Sequence, residues 1–357
     1  MKGWSCYPIW GIELADNAIG LEKPIFGDAT LVTRAYVQTF APADPVAASM
    51  LSGGGVRQAL DKSSFAGSAP IERLIDIPPG AFIAVRRSKP EDAVRYAESV
   101  RALLTATSVL TSGQGKGFAM TPLPLHWAAV PSYVRLNQAG QLQIDYHMVV
   151  NNFIHLQPIR VTHKQLRDSW NSGSTIQGSW TISREHALSK ALIGDWGSLS
   201  PLRRRVRGAA CTLARAMEST DPTLSTLFTV VALESLLKEG ASGFAEMAEL
   251  AACIFEGPNG PADIARLFGN RHKVAHEAIS PAGTADHAKE IFAAWALVFL
   301  AAMSAEALTS PAQLLEHLRG RVLARRIAKR LRENGRTDLA AEVENEAKQL
   351  PKKGPTS

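Results

Sequence analysis

Arg271, His272 and His276 are the residues whose types and spacing could do chemistry, and they stand in the segment DIARLFGNRHKVAHEAIS. Gly269 is expected to interrupt the helical pattern before them, and Asn270 is a good N-cap for a helix starting at Arg271. A guanidinium at such a start lies beside backbone N–H groups at the positive end of a helix, a place that binds phosphate. His276 follows about 7.5 Å along the axis and roughly 140° round by ideal helix geometry. The two therefore share a ligand only if Arg271 reaches across, or if the site is composite between two subunits. The alternative is structural: a surface arginine and a partly buried histidine bonded to a carbonyl.

Two other chemistries compete for the same chain. His272-x3-His276 places two imidazoles on one helical face, a zinc geometry, with Glu277, Asp286 or His287 as a third ligand. Lys273 stands where a zincin motif needs Glu. The stretch from Thr111 to Gly117 resembles a phosphate loop only in composition. Lys116 is followed by Gly117 and the earlier glycine is missing, so nucleotide hydrolysis is rejected.

Positive charge is clustered. Residues 319–336 hold eight Lys or Arg against one Glu, and Arg203, Arg204, Arg205 and Arg207 form a second group. Arg325, Arg326, Lys329 and Arg330 are the candidate RNA-binding residues, the alternative being a solvated helix face.

The elements that must position these residues are helices. Ser200-Pro201 and Asp221-Pro222 each pair an N-cap with Pro at the first helical position. The pattern predicts helices over 201–218, 222–239, 243–256, 261–278 (broken at Gly269) and 285–308. A sixth, basic and amphipathic, covers 311–334 with Leu315, Leu318, Val322, Ile327 and Leu331 as its seam, and Gly335 ends it. Short connections imply an antiparallel bundle. Residues 1–165 are instead β-leaning, with hairpin-like alternation in GIELADNAIGLEKPIFGDATLVTRAYV and one or two strands in QLQIDYHMVVNNFIHLQPIRV. A helix of four to five turns near 89–112 has apolar positions at Val94, Ala97, Val100 and Leu104. The segment WNSGSTIQGSW marks the boundary. The expected fold class is α+β: a mixed domain over 1–170, a helical bundle over 185–310, and a basic amphipathic helix and tail over 311–357.

Arg271-His272-Lys273-Val274-Ala275-His276 resembles the R-x4-6-H signature of the HEPN superfamily, in its Apea-like branch. The branch's "ALE-x-LL" element has its counterpart in Ala232-Leu233-Glu234-Ser235-Leu236-Leu237, and its "L-aromatic-x-x-R" in Leu267-Phe268-Gly269-Asn270-Arg271. The likeness covers about 200–310. His272 replaces a commonly small polar residue, and Glu277 stands where Gly often follows the His.

The resemblance implies a HEPN-type bundle that cleaves RNA without a metal or other cofactor. The 2′-OH attacks the adjacent phosphate, leaving a cyclic phosphate and a free 5′-OH. His276 would exchange a proton near neutral pH, Arg271 would offset charge on the phosphorane, His272 is a second proton carrier, and Glu234 would orient a histidine or brace Arg271. It also implies a homodimer whose cleft uses both copies, and action as a toxin or anti-phage effector with an antitoxin or trigger partner. The alternative is an inactive module of the same fold that binds RNA, a nucleotide or a partner protein.

Composition sets the outer limits. An apolar content of 46% and a charged content of 20% suit a folded globular chain of about two domains. A net charge of +6 and a pI near 9.3 favour polyanionic partners. The uncharged run between Glu290 and Glu306 is short of the roughly 20 residues a membrane span needs and reads as a buried helix. Cys6, Cys211 and Cys253 fit no disulfide framework, and with no secretory pattern the expected location is cytoplasmic.

Overall fold

The computed structural model describes residues 4–9, 12–14, 26–33, 81–87, 89–112, 133–136, 142–145, 159–161, 187–218, 222–238, 241, 243–253, 264–270 and 284–349. The chain combines a largely antiparallel β region with a mostly helical remainder, an α+β composition. It divides into two compact units, one of residues 1–174 with 217–220, the other of 175–216 and 221–357.

In the first unit, β1 (Trp4–Ile9), β3 (Ala29–Thr33), β4 (Ala81–Arg86), β5 (Tyr133–Leu136) and β6 (Leu142–Asp145) form one antiparallel sheet in the order β3-β4-β1-β5-β6. The register pairs Trp4 with Arg86, Leu31 with Ile83 and Val134 with Ile144. β2 (Ile12–Leu14) and β7 (Ile159–Val161) pair in parallel. The apolar run Ala81–Val85 is buried throughout, as expected for a strand flanked on both edges and covered by a helix. That helix, α1 (Pro90–Ser112), packs on β1, β3 and β4 through Ala93, Tyr96, Ala97, Val100, Leu103 and Leu104. Its Tyr96 hydroxyl donates to the Phe26 carbonyl at 2.8 Å, while Arg87 lies over the Tyr96 ring and pairs with Asp28.

The second unit is helical. A stretch at 187–193 and a 3-10 turn (Trp196–Ser198) precede α2 (Pro201–Glu218), α3 (Pro222–Leu237), α4 (Phe244–Ala252), a helical stretch at 264–270, α5 (Thr284–Ser304), α6 (Pro311–Glu333) and α7 (Thr337–Lys348). Ser200 caps α2 as its sequence predicts, its Oγ accepting from the Arg203 amide at 3.3 Å. The cap at Asp221 lies outside the described residues.

α3 carries no charge before Glu234 and packs against α4, α5 and α6, with Val230, Ala232, Leu233, Leu236 and Leu237 buried. Two of its buried hydroxyls bond to backbone carbonyls, Ser225 Oγ donating to Ala216 at 2.6 Å and Thr229 Oγ1 to Ser225 at 2.8 Å, whereas Thr226 Oγ1 is buried with no partner among the described residues. α5 supplies Trp295, Leu297, Val298 and Phe299 to the core, and no described helix is long and apolar enough to cross a membrane. It ends at Ser304 rather than at 308, because a turn over 305–307 brings the Leu308 amide back to the Ser304 carbonyl.

α6 begins with a full capping box, Ser310 with Gln313, and Pro311 in the first turn. It ends in a Schellman turn, with Gly335 at φ +73° and the Arg336 amide bonded to the Leu331 carbonyl. Two expectations are corrected here. Residues 337–348 form a helix, α7, that packs along α6, not a tail. The seam of α6 is met only in part: Leu315 and Leu318 are buried as expected, together with Leu314, Ala324 and Ala328, but Val322 and Leu331 are half-buried and Ile327 is 42% exposed. The small alanines let α7 approach closely, so the packed face follows them and the large aliphatics are left outside.

Candidate functional site

Arg271, His272 and His276 lie outside the described residues, as do Lys273 and Glu277. What is described is the ground on which they stand. Residues 264–270 are helical, with Ile264, Leu267 and Phe268 buried and the Phe268 ring against Phe244 at 5.9 Å between centroids. The expected interruption at Gly269 is absent. Helix continues through Gly269 and Asn270, and the side chain of Asn270 points to another element.

That element is α5. Glu290, 1% exposed, accepts from Arg266 Nε at 2.9 Å and from Asn270 Nδ2 at 3.4 Å through the same oxygen, Oε1. A carboxylate taken out of water needs such charge-assisted donors. The consequence is positional: the residue immediately before Arg271 is tied by its side chain to the middle of the core. Sequence reasoning used Glu290 only as the edge of an apolar run. The signal was its phase, since Glu290 shares a helical face with Ala294, Leu297 and Ala301, all buried.

Glu234 sits on α3 within the element that carries the resemblance. Ala232, Leu233, Leu236 and Leu237 are core residues, while Glu234 is half-buried with Oε1 shielded from solvent. α3 packs directly on α5, so the helices bearing Glu234 and Glu290 are neighbours.

The four candidate RNA-binding residues separate. Arg325 Nη1 donates to the Ala252 carbonyl at 3.0 Å, closing the C-terminal end of α4, and Arg326 pairs with Glu249 of the same helix. Arg319 adds a third link to α4, its Nε and Nη2 reaching Glu246 Oε1 at 2.9 and 2.8 Å. Lys329 and Arg330 are exposed and make no side-chain ion pair among the described residues. Three of the eight basic residues of the run thus clamp α4.

The second basic cluster divides as well. Arg207 is 5% exposed and donates to the Gly194 carbonyl at 3.0 Å; Arg203 lies 3.8 Å from Glu306, which Lys190 also contacts. Arg204 and Arg205 line an open recess of about 580 Å³ with Pro201, Ser310, Pro311 and Ala312, where the starts of α2 and α6 meet through the Leu202 amide and the Thr309 carbonyl.

Two further titratable groups are perturbed. Burial, with the nearby Arg321 guanidinium, holds the His317 imidazole below its ordinary value. Burial pushes the Cys253 thiol up to about 11, so it stays protonated at neutral pH. No family model matches the chain, and no curated protein or solved structure matches it.

Proposed function

We propose that this chain is a HEPN-type endoribonuclease that cleaves RNA by transesterification. The observation that carries the reading is the tie between Glu290 and the Arg266–Asn270 turn. It fixes the residue preceding Arg271 against the same core that holds the ALESLL element of α3. A site that must place a guanidinium within fractions of an ångström of a phosphate needs such support.

In this reading Arg271 binds the scissile phosphate. Of the two imidazoles, one takes the proton of the attacking 2′-OH and the other returns a proton to the departing 5′-oxygen. Glu234 orients a histidine or braces Arg271 from α3. The helical domain over 185–310 pairs with a second copy, and the N-terminal unit recognises a trigger, a partner or part of the RNA. Action as a toxin or anti-phage effector follows from the resemblance alone. Of the four candidate basic residues of α6, Lys329 is the one neither bonded to α4 nor bordering the exposed apolar row described below, and it carries the RNA contact.

The test is incubation of wild-type and His276→Ala protein with mixed RNA in EDTA, followed by end-group analysis. Cleavage by the wild type alone, leaving 2′,3′-cyclic phosphates, supports the assignment. Absence of cleavage by either protein, with or without added metal, favours instead a module that binds without cutting or a nuclease that awaits its trigger. Removing residues 1–165 should alter RNA choice or regulation, and unchanged behaviour would count against recognition by the N-terminal unit.

A further inference from the structure

We propose that the outer face of the α6–α7 hairpin is a self-association surface through which two copies of this chain pair as a two-fold dimer. The surface lies in residues 311–348, beyond the part of the chain that resembles HEPN domains. The inference holds whether or not RNA is cut.

The face is apolar at its centre. Leu323 is 58% exposed and Ile327 is 42% exposed, about 40° apart on α6 by helix geometry, with half-buried Leu331 next in the row. On α7, Leu339 is 42% exposed and half-buried Val343 follows one turn on. Ala340 is buried against α6, and Glu344, Ala347 and Lys348 border the small recess over Cys253 together with Ala324 and Arg325. Leu339 and Val343 stand on the other rim of α7, away from Cys253, and so lie beside Ile327 and Leu331. Several aliphatic side chains exposed side by side on two packed helices form a patch, unlike a single exposed leucine.

Charge is divided between the two edges. Arg330 borders the row on α6 as an exposed cation with no ion pair among the described residues, Arg319 and Arg326 beside it being paired with Glu246 and Glu249 of α4; the exposed carboxylates Asp338, Glu342 and Glu346 border the row on α7. An apolar centre with a cation at one edge and carboxylates at the other is complementary to itself. A two-fold axis parallel to the helices sets α6 of one copy over α7 of the other, bringing opposite charges together and leaving every neighbouring helix antiparallel. A two-fold across the helices would set α6 on α6, like charge on like. The first arrangement places Arg330 of each copy near Glu342 of the other, at two symmetric contacts. A polyanion is a poorer occupant, since it would meet the α7 carboxylates.

α7 is 12 residues, about 18 Å long, so the interface is at the small end for a specific dimer. The experiment is sedimentation of the full chain over a micromolar concentration series, with circular dichroism to confirm that each variant is folded. The wild type should associate further as its concentration rises, from monomer to dimer, or from dimer to tetramer where copies are already paired over 185–310. Arg330→Glu and Glu342→Arg should each weaken this step by about tenfold or more, Leu323→Lys should do the same, and combining the two charge reversals should restore it. A wild type whose mass does not rise with concentration overturns the proposal and leaves the face to another partner. A concentration-dependent step indifferent to all three single changes, or a double reversal that fails to restore it, also overturns the proposal and places that association elsewhere.

Discussion

Arg266 and Glu290, 24 residues apart in sequence, meet at 2.9 Å with the carboxylate 1% exposed and the arginine 37% exposed. The pair joins the helical stretch before Arg271 to α5, and its asymmetry decides what a substitution does. Removing Arg266 takes the charged partner from a carboxylate that is 1% exposed. Arg266→Ala should cost about 3 kcal/mol, the lower end for breaking a buried pair, because Asn270 still donates to Glu290. Arg266→Met combined with Glu290→Leu should recover most of that loss, since no charge is left buried. Urea unfolding of the three proteins measures both, and a single variant within about 0.5 kcal/mol of wild type would show the pair to be a surface contact. If the pair also positions Arg271, the double variant will regain stability while cleavage of RNA stays reduced.

The packed face of α6 separates residues that look alike in sequence. Leu318 is fully buried, and Leu318→Ala should cost about 2–5 kcal/mol. Ile327 is 42% exposed, and Ile327→Ala should cost under about 1 kcal/mol in the monomer. Thermal or urea unfolding at low protein concentration checks the contrast. Equal costs would restore the seam that hydrophobic spacing alone suggests.

That contrast shows which parts of the molecule were legible. Helix starts were, because Ser200-Pro201 and Ser310-Pro311 are local chemistry: a cap and a ring that fixes φ. The end of α6 was, because Gly335 adopts a conformation that disfavours side chains. The seam was legible at Leu315 and Leu318 but not beyond them, because Ala324 and Ala328 are buried by the approach of α7, a tertiary event that no spacing along α6 reveals. The break at Gly269 failed for a related reason: Asn270 is held by Glu290 from another helix, which outweighs a local breaker. Within the candidate site, the resemblance pointed to Glu234, while residue types and spacing pointed to the Arg271–His276 segment, which lies outside the described residues. Glu290 was hidden because one acid in an alanine-rich run reads as a boundary until its helical phase is compared with the core.

The basic run of α6 should respond to neutralisation residue by residue. Lys329→Gln should lower the slope of log affinity for single-stranded RNA against log salt by about 0.7, the value of one phosphate contact. Arg325→Gln should leave that slope alone and instead loosen α4, whose last carbonyl it caps, at a cost of about 1 kcal/mol. Binding titrations at several salt concentrations, paired with melting curves, distinguish the two effects. A slope unchanged by Lys329→Gln removes α6 from the RNA interface altogether.

Stability should also carry a pH signature from His317. Its imidazole is held below the ordinary value of 6.5 by burial first and by Arg321 second. Its Nε2 is shielded from solvent and has no hydrogen-bond partner among the described residues. The folded state therefore resists a proton that the unfolded chain accepts. Between the folded value and 6.5 the unfolded state binds more protons, so unfolding free energy rises with pH across that window and levels off above it. Acidifying from pH 7.5 through about 6.5 and below should destabilise the wild type before the carboxylates titrate. His317→Met removes the titrating group and fills the same space with an unbranched apolar chain, so the difference between the two proteins should widen as pH falls, with the variant the more stable on the acid side. Urea midpoints measured at half-unit pH steps give that difference directly. Parallel curves for the two proteins would mean that His317 gains a proton as readily in the folded state as in the unfolded one.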